Sequence, residues 1–159
     1  MTQRLIHSKV APALYRKFLD FDRALTETSL PKAMRHLVKI RVSQLNGCAF
    51  CVDMHVKEAK IDGERELRLY HLPIWRESPM FDPKERLALE WAETLTELSH
   101  DGVSDALYAR AREQFSEQEL CELTYAVMAI NGWNRASIAF RSVPGSLDQA
   151  LGLTKAGLS

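Results

Sequence analysis

Two cysteines and a histidine are spaced so that they could act together as one chemical unit: Cys48, Cys51 and His55. On an α-helix, residues three and four positions apart share a face, so this spacing would align all three side chains. A thiolate is favoured at a helix N-terminus, which is where we expect Cys48 to lie. Two thiols one turn apart can close a disulfide, and a histidine beside Cys51 can accept its proton. The spacing therefore provides a nucleophile, a resolving thiol and a base.

Three interpretations of this Cys–Cys–His group remain open on spacing alone. The first is thiol redox catalysis, which a C-x-x-C pair favours in a reducing compartment. The second is a metal site, in which His36 or Cys121 would be the fourth ligand. The third is structural, because cysteine often behaves as a small buried apolar residue and histidine as a hydrogen-bonded core residue.

The sequence around the pair resembles a known protein family. Residues 37–55 contain the C-x-x-C-x-x-x-H core and are similar to the core motif of the alkylhydroperoxidase D (AhpD-like) proteins. These proteins belong to the carboxymuconolactone decarboxylase superfamily. Residues 75–78, 85–93 and 130–135 also resemble segments of this subgroup. The resemblance covers roughly residues 12–145, which is most of the chain.

The resemblance implies a helical subunit that forms a homo-oligomer, a trimer or a hexamer, with a thiol peroxidase activity that needs no haem, metal or other cofactor. It implies that Cys51 is the peroxidatic nucleophile, Cys48 the resolving partner and His55 part of a proton relay. The thiolate would reduce hydrogen peroxide or an organic hydroperoxide and become a sulfenic acid, which the partner thiol converts to a disulfide. A dithiol protein of the lipoyl or thioredoxin type would reduce that disulfide by exchange.

One position departs from the family pattern. The relay of the family includes a glutamate twelve residues before the first cysteine, and this sequence has His36 there. A neutral histidine can accept a proton as a carboxylate does, so His36 could serve the relay with a different pH dependence. Alternatively, His36 would complete a Cys₂His₂ metal set with Cys48, Cys51 and His55.

The elements that must position these residues are all predicted to be helices. Apolar residues recur with helical spacing along the chain, glycine and proline fall between the periodic stretches, and no convincing strand pattern occurs. The predicted helices span residues 12–25, 29–45, 48–61, 64–71, 82 to about 99–102, 104–115 and 116–141, with N-caps at Ser29, Asp82, Ser104 and Ser116. We therefore expect an all-α bundle of six or seven helices in a single AhpD-like domain over residues 1–159, with its core at about 12–145.

Composition limits the partners. The chain has 159 residues, with 21 Lys plus Arg balanced by 21 Asp plus Glu. A neutral chain without a basic stripe is a poor candidate for binding nucleic acid or an anionic membrane. Charged residues interrupt the N-terminal segment, so we expect no signal peptide and a cytoplasmic location. The odd count of three cysteines also argues against a secreted disulfide framework.

Other functions and residues were weighed against this interpretation. The alternatives are a regulatory oligomer that binds zinc through Cys and His, and a general disulfide oxidoreductase; lactone decarboxylation is disfavoured because it needs no C-x-x-C pair. We expect Cys121 to be a buried structural cysteine, Asp53 to be solvated, and residues 133–135 to serve packing. The segment Trp75–Arg76–Glu77 is predicted to be a solvated connector, and His7 a surface residue.

Overall fold

The computed structural model describes residues 2–158, and within that range the regular structure is entirely helical. The helices are α1 (His7–Val10), α2 (Pro12–Ala24), α3 (Lys32–Leu45), α4 (Ala49–Ile61), α5 (Glu66–His71), α6 (Pro83–Thr96), α7 (Asp105–Gln114), α8 (Glu117–Phe140) and α9 (Asp148–Leu151). Short 3₁₀ turns lie at Leu25–Glu27, Leu72–Ile74 and Leu153–Ala156. The all-α prediction is confirmed. The two helices beyond the expected six or seven, α1 and α9, have four residues each, too few for a periodic apolar pattern.

The starts of α6 and α8 follow from their first residues, as predicted. Asp82 accepts a hydrogen bond from the backbone N–H of Glu85, and Glu85 accepts one from the backbone N–H of Asp82. Ser116 and Glu119 form the same reciprocal pair at α8. Each box satisfies two backbone donors that the helix itself leaves unpaired, an effect of about 1 kcal/mol per cap.

The turn between α3 and α4 determines where Cys48 lies. Gly47 has φ of +67°, a left-handed conformation that glycine adopts without strain. Its N–H bonds to the carbonyl of Gln44, and the N–H of Cys48 bonds to the carbonyl of Ser43, which is the Schellman pattern. The chain therefore reverses at Gly47 and leaves Cys48 at the N-terminus of α4.

The central helix α3 packs against α4, α6 and α8, and the cysteines belong to the resulting core. The apolar cluster contains Met34, Val38, Val42, Cys48, Cys51, Trp91, Phe115, Leu123, Val127 and Ile130 among others. Burying a large apolar side chain contributes roughly 1.5–3 kcal/mol, so this cluster holds the α3–α4 turn firmly. The thiols are thus fixed by the core rather than carried on a loop.

Two predicted boundaries were wrong. Helix α3 begins at Lys32 with Pro31 at the cap position, and the backbone N–H and hydroxyl of Ser29 donate instead to a carboxylate oxygen of Glu122 at 2.9 and 2.6 Å. Ser29 therefore ties the preceding loop to α8 and does not cap α3. Helix α6 ends at Thr96 because Glu97 leaves the helical conformation, several residues before the predicted end.

The connector of residues 75–77 before α6 is largely exposed but anchored to the core by one side chain. Trp75 is buried, and its indole N–H donates to Glu93 of α6 at 2.8 Å. The guanidinium groups of Arg41 and Arg76 also bind Glu93, each at 2.6 Å. We call these four residues the Glu93 cluster, which joins α3, α6 and the connector. The prediction of a solvated connector is wrong for Trp75 and right for Arg76 and Glu77, which are exposed.

Helix α8 is the longest helix and has one exposed apolar strip. Cys121, Tyr125 and Met128, spaced four and three positions apart, are exposed along this strip. The prediction that Cys121 is buried is therefore wrong, because its side chain lies on the strip rather than on the core face. Among residues 2–158, no helix combines the length and apolar character that a membrane crossing requires.

Candidate active site

Cys48 and Cys51 face each other across the first turn of α4. Cys48 is the N-cap residue of that helix, and its Sγ atom lies 2.8 Å from the Sγ atom of Cys51. Both are free thiols, and both are almost completely shielded from solvent. A disulfide has an S–S distance of about 2.05 Å, so only a small approach separates this pair from a covalent bond.

The two thiols share a proton unequally. The hydrogen bond between the two thiols lowers the pKa of Cys48 to about 7, although burial acts in the opposite direction. The same hydrogen bond, together with burial, raises the pKa of Cys51. When the pair loses its first proton, the negative charge therefore lies on Cys48 and the remaining proton on Cys51.

The two sulfurs line different cavities. Cys51 contributes to the wall of a cavity of about 410 Å³, together with Phe50, Met54 and Trp133. Cys48 contributes to a separate, shallower hollow lined by Ser43, Gln44, Gly47, Ala49, Val52, Asp53 and Pro144. One turn of helix thus presents one sulfur to a partly open cavity and the other to a more open hollow.

His55 is set up as a base on the wall of the Cys51 cavity. Its Nδ1 atom lies 2.7 Å from a carboxylate oxygen of Glu58, and its buried Nε2 atom has no partner among the described residues. Burial tends to raise the pKa of Glu58, but the hydrogen bond with His55 holds that pKa below its usual value. An ionised Glu58 fixes the proton on Nδ1 and leaves the Nε2 lone pair free to accept one. Both residues line the same cavity as Cys51.

Glu58 was not singled out from the sequence. It follows His55 by three positions on α4, so helical spacing alone could have indicated the pair. A carboxylate is common on helix surfaces, however, and spacing does not show which of its neighbours it contacts.

His36 is set apart from the thiols. Its Nε2 atom lies 2.6 Å from a carboxylate oxygen of Asp62, and the ring is buried. Burial lowers the pKa of His36, while Asp62 opposes that shift. The structure thus brings together three of the four predicted site residues, Cys48, Cys51 and His55, and places His36 against Asp62, away from the lining of both cavities.

Two polar residues of α8 lie beside the sulfurs. Asn134 is fully buried, and its side chain is hydrogen-bonded to Asn46 and Ser43. These contacts agree with the predicted packing role. Asn134 and Ser137 each lower the pKa of Cys48 and of Cys51, although the hydrogen bond between the two thiols has the larger effect. Neither was expected to touch the thiols, because they lie over 80 positions away in the sequence.

Aromatic side chains form another part of the cavity wall. The Trp133 ring packs against Tyr15, with centroids 5.5 Å apart, and His7 stacks on Phe140. His7, Tyr15 and Trp133 all line the cavity, so the prediction of His7 as a simple surface residue was wrong. Burial lowers the pKa of His7.

The C-terminal segment closes the site from the other side. Lys57 is buried, and its ammonium group binds Asp53 at 2.9 Å and Asp148 at 2.7 Å. Asp53 also accepts a hydrogen bond from the backbone N–H of Gly145, so the prediction of a solvated Asp53 was wrong. This Lys57 clasp holds residues 142–151 over α4, where Leu147 and Leu151 line the Cys51 cavity.

Within residues 2–158, no group of three or more His, Cys, Asp or Glu side chains is arranged to hold a metal ion. Cys121 and His36 do not join the thiol pair, although each was considered as a fourth ligand. The site chemistry described here therefore consists of two thiols, an imidazole, a carboxylate and buried amides.

Comparison with known proteins identifies one family and a relative that matches nearly its whole length. A model of the carboxymuconolactone decarboxylase family matches residues 12–94. The uncharacterized protein YdfG of Bacillus subtilis (strain 168) is 41% identical over 139 residues, which is 87% of this chain and 95% of YdfG. The similarity therefore extends beyond the thiol motif to nearly the whole length of that relative.

Solved structures share the fold. A protein of unknown function from Agrobacterium tumefaciens, for which an AhpD antioxidant defence role is suggested, superposes with a TM-score of 0.86 and 36% identity over 90% of this chain and 98% of that one. The AhpD core of an uncharacterized peroxidase-related protein from Ralstonia eutropha JMP134 gives a TM-score of 0.78 at 21% identity, covering 87% of this chain and 74% of that one. The debrominase Bmp8, in complex with a tribromopyrrole, gives 0.78 at 16% identity, covering 89% and 76%. At these lower identities the likeness concerns the fold alone.

Proposed function

Because this chain belongs to the carboxymuconolactone decarboxylase family and has the AhpD-like fold, we propose that it is a thiol peroxidase that reduces hydrogen peroxide or organic hydroperoxides. The family and fold include enzymes of more than one kind, a peroxidase-related protein and a debrominase among them. One observation carries the peroxidase proposal: Cys51 and the unpaired Nε2 atom of His55 belong to residues that line the same cavity, while the Cys48 sulfur, 2.8 Å from that of Cys51, lines a separate hollow.

The first step of the proposed reaction uses Cys51. His55 accepts the Cys51 proton on Nε2, and the sulfur attacks the terminal oxygen of the peroxide. An S–O bond forms as the O–O bond breaks, and the departing oxygen takes the proton from His55 to leave as water or an alcohol. The sulfur is oxidised by two electrons to a sulfenic acid, and the peroxide is reduced by the same two electrons.

The second step uses Cys48 as the resolving thiol. The two sulfurs lie 2.8 Å apart, so Cys48 can attack the sulfenic sulfur of Cys51 as a thiolate without any movement of the helix. An S–S bond forms as the S–O bond breaks, and the leaving hydroxide takes a proton to become water. A dithiol protein then attacks Cys48 from the open hollow and restores both thiols by exchange.

Glu58 supports His55 in this proposal by stabilising the imidazolium that forms when the cysteine proton arrives. His36 lies near this pair, and its protonated form lowers the pKa of Glu58 by a smaller amount than the contact with His55 does. We therefore assign His36 an outer place in the relay, where it tunes the pH dependence without touching the thiols.

A second candidate function is general disulfide exchange. The thiol with the lowered pKa, Cys48, lines the open hollow, which is the arrangement that an attacking thiol of a disulfide oxidoreductase requires. In that case Cys51 would resolve a mixed disulfide on Cys48, and the Cys51 cavity would have no role in turnover.

The partners of the peroxidase follow from its chemistry. Turnover needs a lipoyl- or thioredoxin-type dithiol protein, and we place the reaction in the cytoplasm, where thiols stay reduced. We also propose that a single domain over the whole chain assembles into a trimer or hexamer. The exposed apolar strip of α8, which contains Tyr125 and Met128, is the surface that such assembly would cover.

The test uses single cysteine variants in a Cys121→Ser background, so that only the pair can react. We expect Cys51→Ser to consume no peroxide, and Cys48→Ser to consume one equivalent per subunit and then stop as the sulfenic acid. Peroxide remaining after mixing with reduced protein is the measurement. Complete loss of the first equivalent in both variants contradicts the assignment of Cys51.

The same variants distinguish the second candidate. If disulfide exchange is the function, Cys51→Ser should accumulate a stable mixed disulfide with a small model disulfide, and Cys48→Ser should not react with it. Reaction of the intact protein with the model disulfide but not with peroxide would favour disulfide exchange over the peroxidase.

A further inference from the structure

A chain of side-chain amides, two of them buried, runs from the surface of α8 to the turn that carries the thiols. Arg135 donates to the Oδ1 atom of Asn131 at 2.8 Å, and the Nδ2 atom of Asn46 donates to the same oxygen at 3.0 Å. Asn46 also donates to the Oδ1 atom of Asn134 at 2.9 Å. Asn46 precedes Cys48 in the α3–α4 turn, so this amide chain connects the thiol turn to α8 at two points.

Arg135 fixes the orientation of every amide in the chain. A guanidinium group only donates hydrogen bonds, so the atom of Asn131 that faces Arg135 must be its oxygen. The same oxygen then requires a donor from Asn46, and Asn46 in turn requires the oxygen of Asn134. The opposite end of the Asn131 amide agrees, because its Nδ2 atom donates to the carbonyl of Val127.

The NH₂ group of Asn134 is consequently directed away from Asn46, towards Ser43 and the sulfurs. It donates one hydrogen to the hydroxyl of Ser43 at 3.0 Å. The Ser43 hydroxyl donates its own hydrogen to the carbonyl of Lys39 at 2.7 Å, so it can only accept a hydrogen bond from Asn134. Ser43 also accepts the backbone N–H of Cys48 at 2.9 Å on its carbonyl, so the second N–H of this fully buried amide lies next to the thiol turn.

We propose that Asn134 is an oriented hydrogen-bond donor to the sulfur anion of the Cys48–Cys51 pair, and that Asn46, Asn131 and Arg135 are positioning residues that keep its NH₂ group facing the sulfurs. The inference rests on the proposed function only in taking these two thiols as the reacting groups. A reversed Asn134 amide would present its oxygen to the thiolate and repel it. The amide chain prevents that reversal, because turning one amide would break the hydrogen bonds of the next.

The consequence is a thiolate that is stabilised by hydrogen bonds from neutral groups. A hydrogen bond to a charged acceptor is stronger than one between neutral groups, and burial strengthens it further. Asn134 lowers the pKa of Cys48 in addition to the larger effect of the Cys51 thiol, and Ser137 acts in the same direction. Loss of the Asn134 donor should therefore raise the pH at which the pair becomes reactive.

The first test measures alkylation by iodoacetamide as a function of pH in Asn134→Ala, with peptide mass spectrometry to resolve each cysteine. We expect the midpoint for Cys48 to rise by about one pH unit from about 7, so that its rate at pH 7 falls about fivefold and recovers at pH 9. The exposed Cys121 provides an internal control, whose profile should stay the same. An unchanged midpoint, or a loss of rate that is equal at every pH, would overturn the proposal.

The second test addresses the positioning residues through Arg135, which is exposed and can be changed without disturbing the core. Arg135→Met should raise the Cys48 midpoint in the same direction, and Arg135→Lys should restore it, because lysine also only donates. The shift should persist in 0.5 M salt, where charges are screened beyond roughly 4 Å. A shift that salt removes would be a long-range charge effect and would overturn the positioning role. If Asn134→Ala does not fold, the Arg135 variants alone test the proposal.

Alkylation requires no peroxide, so this test is independent of the proposed activity. A protein that fails to reduce peroxide but shows the expected midpoints would contradict the peroxidase and support the role of Asn134. A protein that reduces peroxide, and in which the variants leave the Cys48 midpoint unchanged, would support the peroxidase and contradict the role of Asn134.

Discussion

At the scale of single residues, the two thiols have different environments although they are three positions apart. Cys48 holds the first negative charge and lines the open hollow, whereas Cys51 keeps the shared proton and lines the cavity with His55. A peroxidatic role for Cys51 therefore depends on a base in the cavity. His55, oriented by Glu58, is that base in the proposed mechanism.

Replacement of Glu58 tests this dependence. Glu58→Gln removes the charge that stabilises the protonated imidazole, and we expect kcat/KM for peroxide to fall at least tenfold, since general base catalysis contributes roughly 10²–10⁴-fold. The matched control is Glu66→Gln, which removes a carboxylate from the exposed helix α5 and should change little. His36→Ala should have a smaller effect than Glu58→Gln and should mainly move the pH profile. Equal rates for Glu58→Gln and the intact protein would remove Glu58 from the relay.

Residue types and spacing predicted part of this site. The C-x-x-C-x-x-x-H segment is local, so helix geometry alone places Cys51 and His55 on one face and Cys48 one turn before Cys51, at the N-cap. Asn134 could not be found this way, because its contact with the thiols depends on how α8 packs against the α3–α4 turn. His36 lies on the neighbouring helix, and its partner Asp62 is chosen by the same packing.

At the scale of elements, α4 contributes both the thiols and the clasp that holds the C-terminal segment. Cys51 and His55 face the cavity, while Asp53 and Lys57 face the segment 142–151. Helices α1 and α9 complete the cavity wall from the two ends of the chain. Neither was predicted, because an element of four residues derives its conformation from the surface it covers and not from its own sequence pattern.

Loss of the Lys57 clasp should loosen this segment. In Lys57→Met, the carboxylates of Asp53 and Asp148 lose their common cation. We expect the free energy of unfolding to fall by about 2 kcal/mol. This loss is smaller than that for a deeply buried pair, because both carboxylates are partly hydrated. Amide hydrogen exchange in residues 142–156 should accelerate by more than exchange in α3. The control is Lys60→Met on the same helix, which loses only a partly exposed pair with Glu66. Faster exchange spread evenly over the molecule would contradict a local clasp.

At the scale of the whole molecule, α3 is the centre of the bundle and the Glu93 cluster secures its outer side. Glu93 is buried, and although burial raises its pKa, the contacts with Trp75, Arg76 and Arg41 lower it by more. A carboxyl group whose pKa is lower in the folded than in the unfolded protein stabilises the fold above its unfolded pKa. That contribution is lost as the pH falls through the lowered folded value.

Replacement of Glu93 should therefore affect stability in a pH-dependent way. Glu93→Gln leaves the guanidinium of Arg41 buried without a counter-charge, and we expect a loss of about 3 kcal/mol in the free energy of unfolding at pH 7. The difference from the intact protein should shrink below pH 4.5, where the unfolded carboxyl group binds a proton. Glu90→Gln, on the same helix but in an exposed pair with Arg110, should cost less than about 1 kcal/mol. A pH-independent difference would show that Glu93 acts through shape rather than charge.

The helix-dominated fold was accessible from the sequence because helical periodicity and capping boxes are local signals, as at Asp82 and Ser116. The Glu93 cluster was not, since its members come from three separate segments and only tertiary packing unites them. Surface exposure was misjudged for the same reason at Cys121, where the periodic pattern of α8 does not show which face meets the core.

The central claim is that Cys48 and Cys51 form a peroxide-reactive pair, and one measurement tests it most directly. Reduced protein is mixed with one equivalent of peroxide, and its intact mass and disulfide-linked peptides are determined under denaturing conditions. The account predicts a rapid loss of two hydrogens that maps to a Cys48–Cys51 disulfide, with Cys121 unmodified. Thiols that stay reduced, or that react no faster than Cys121, would contradict it.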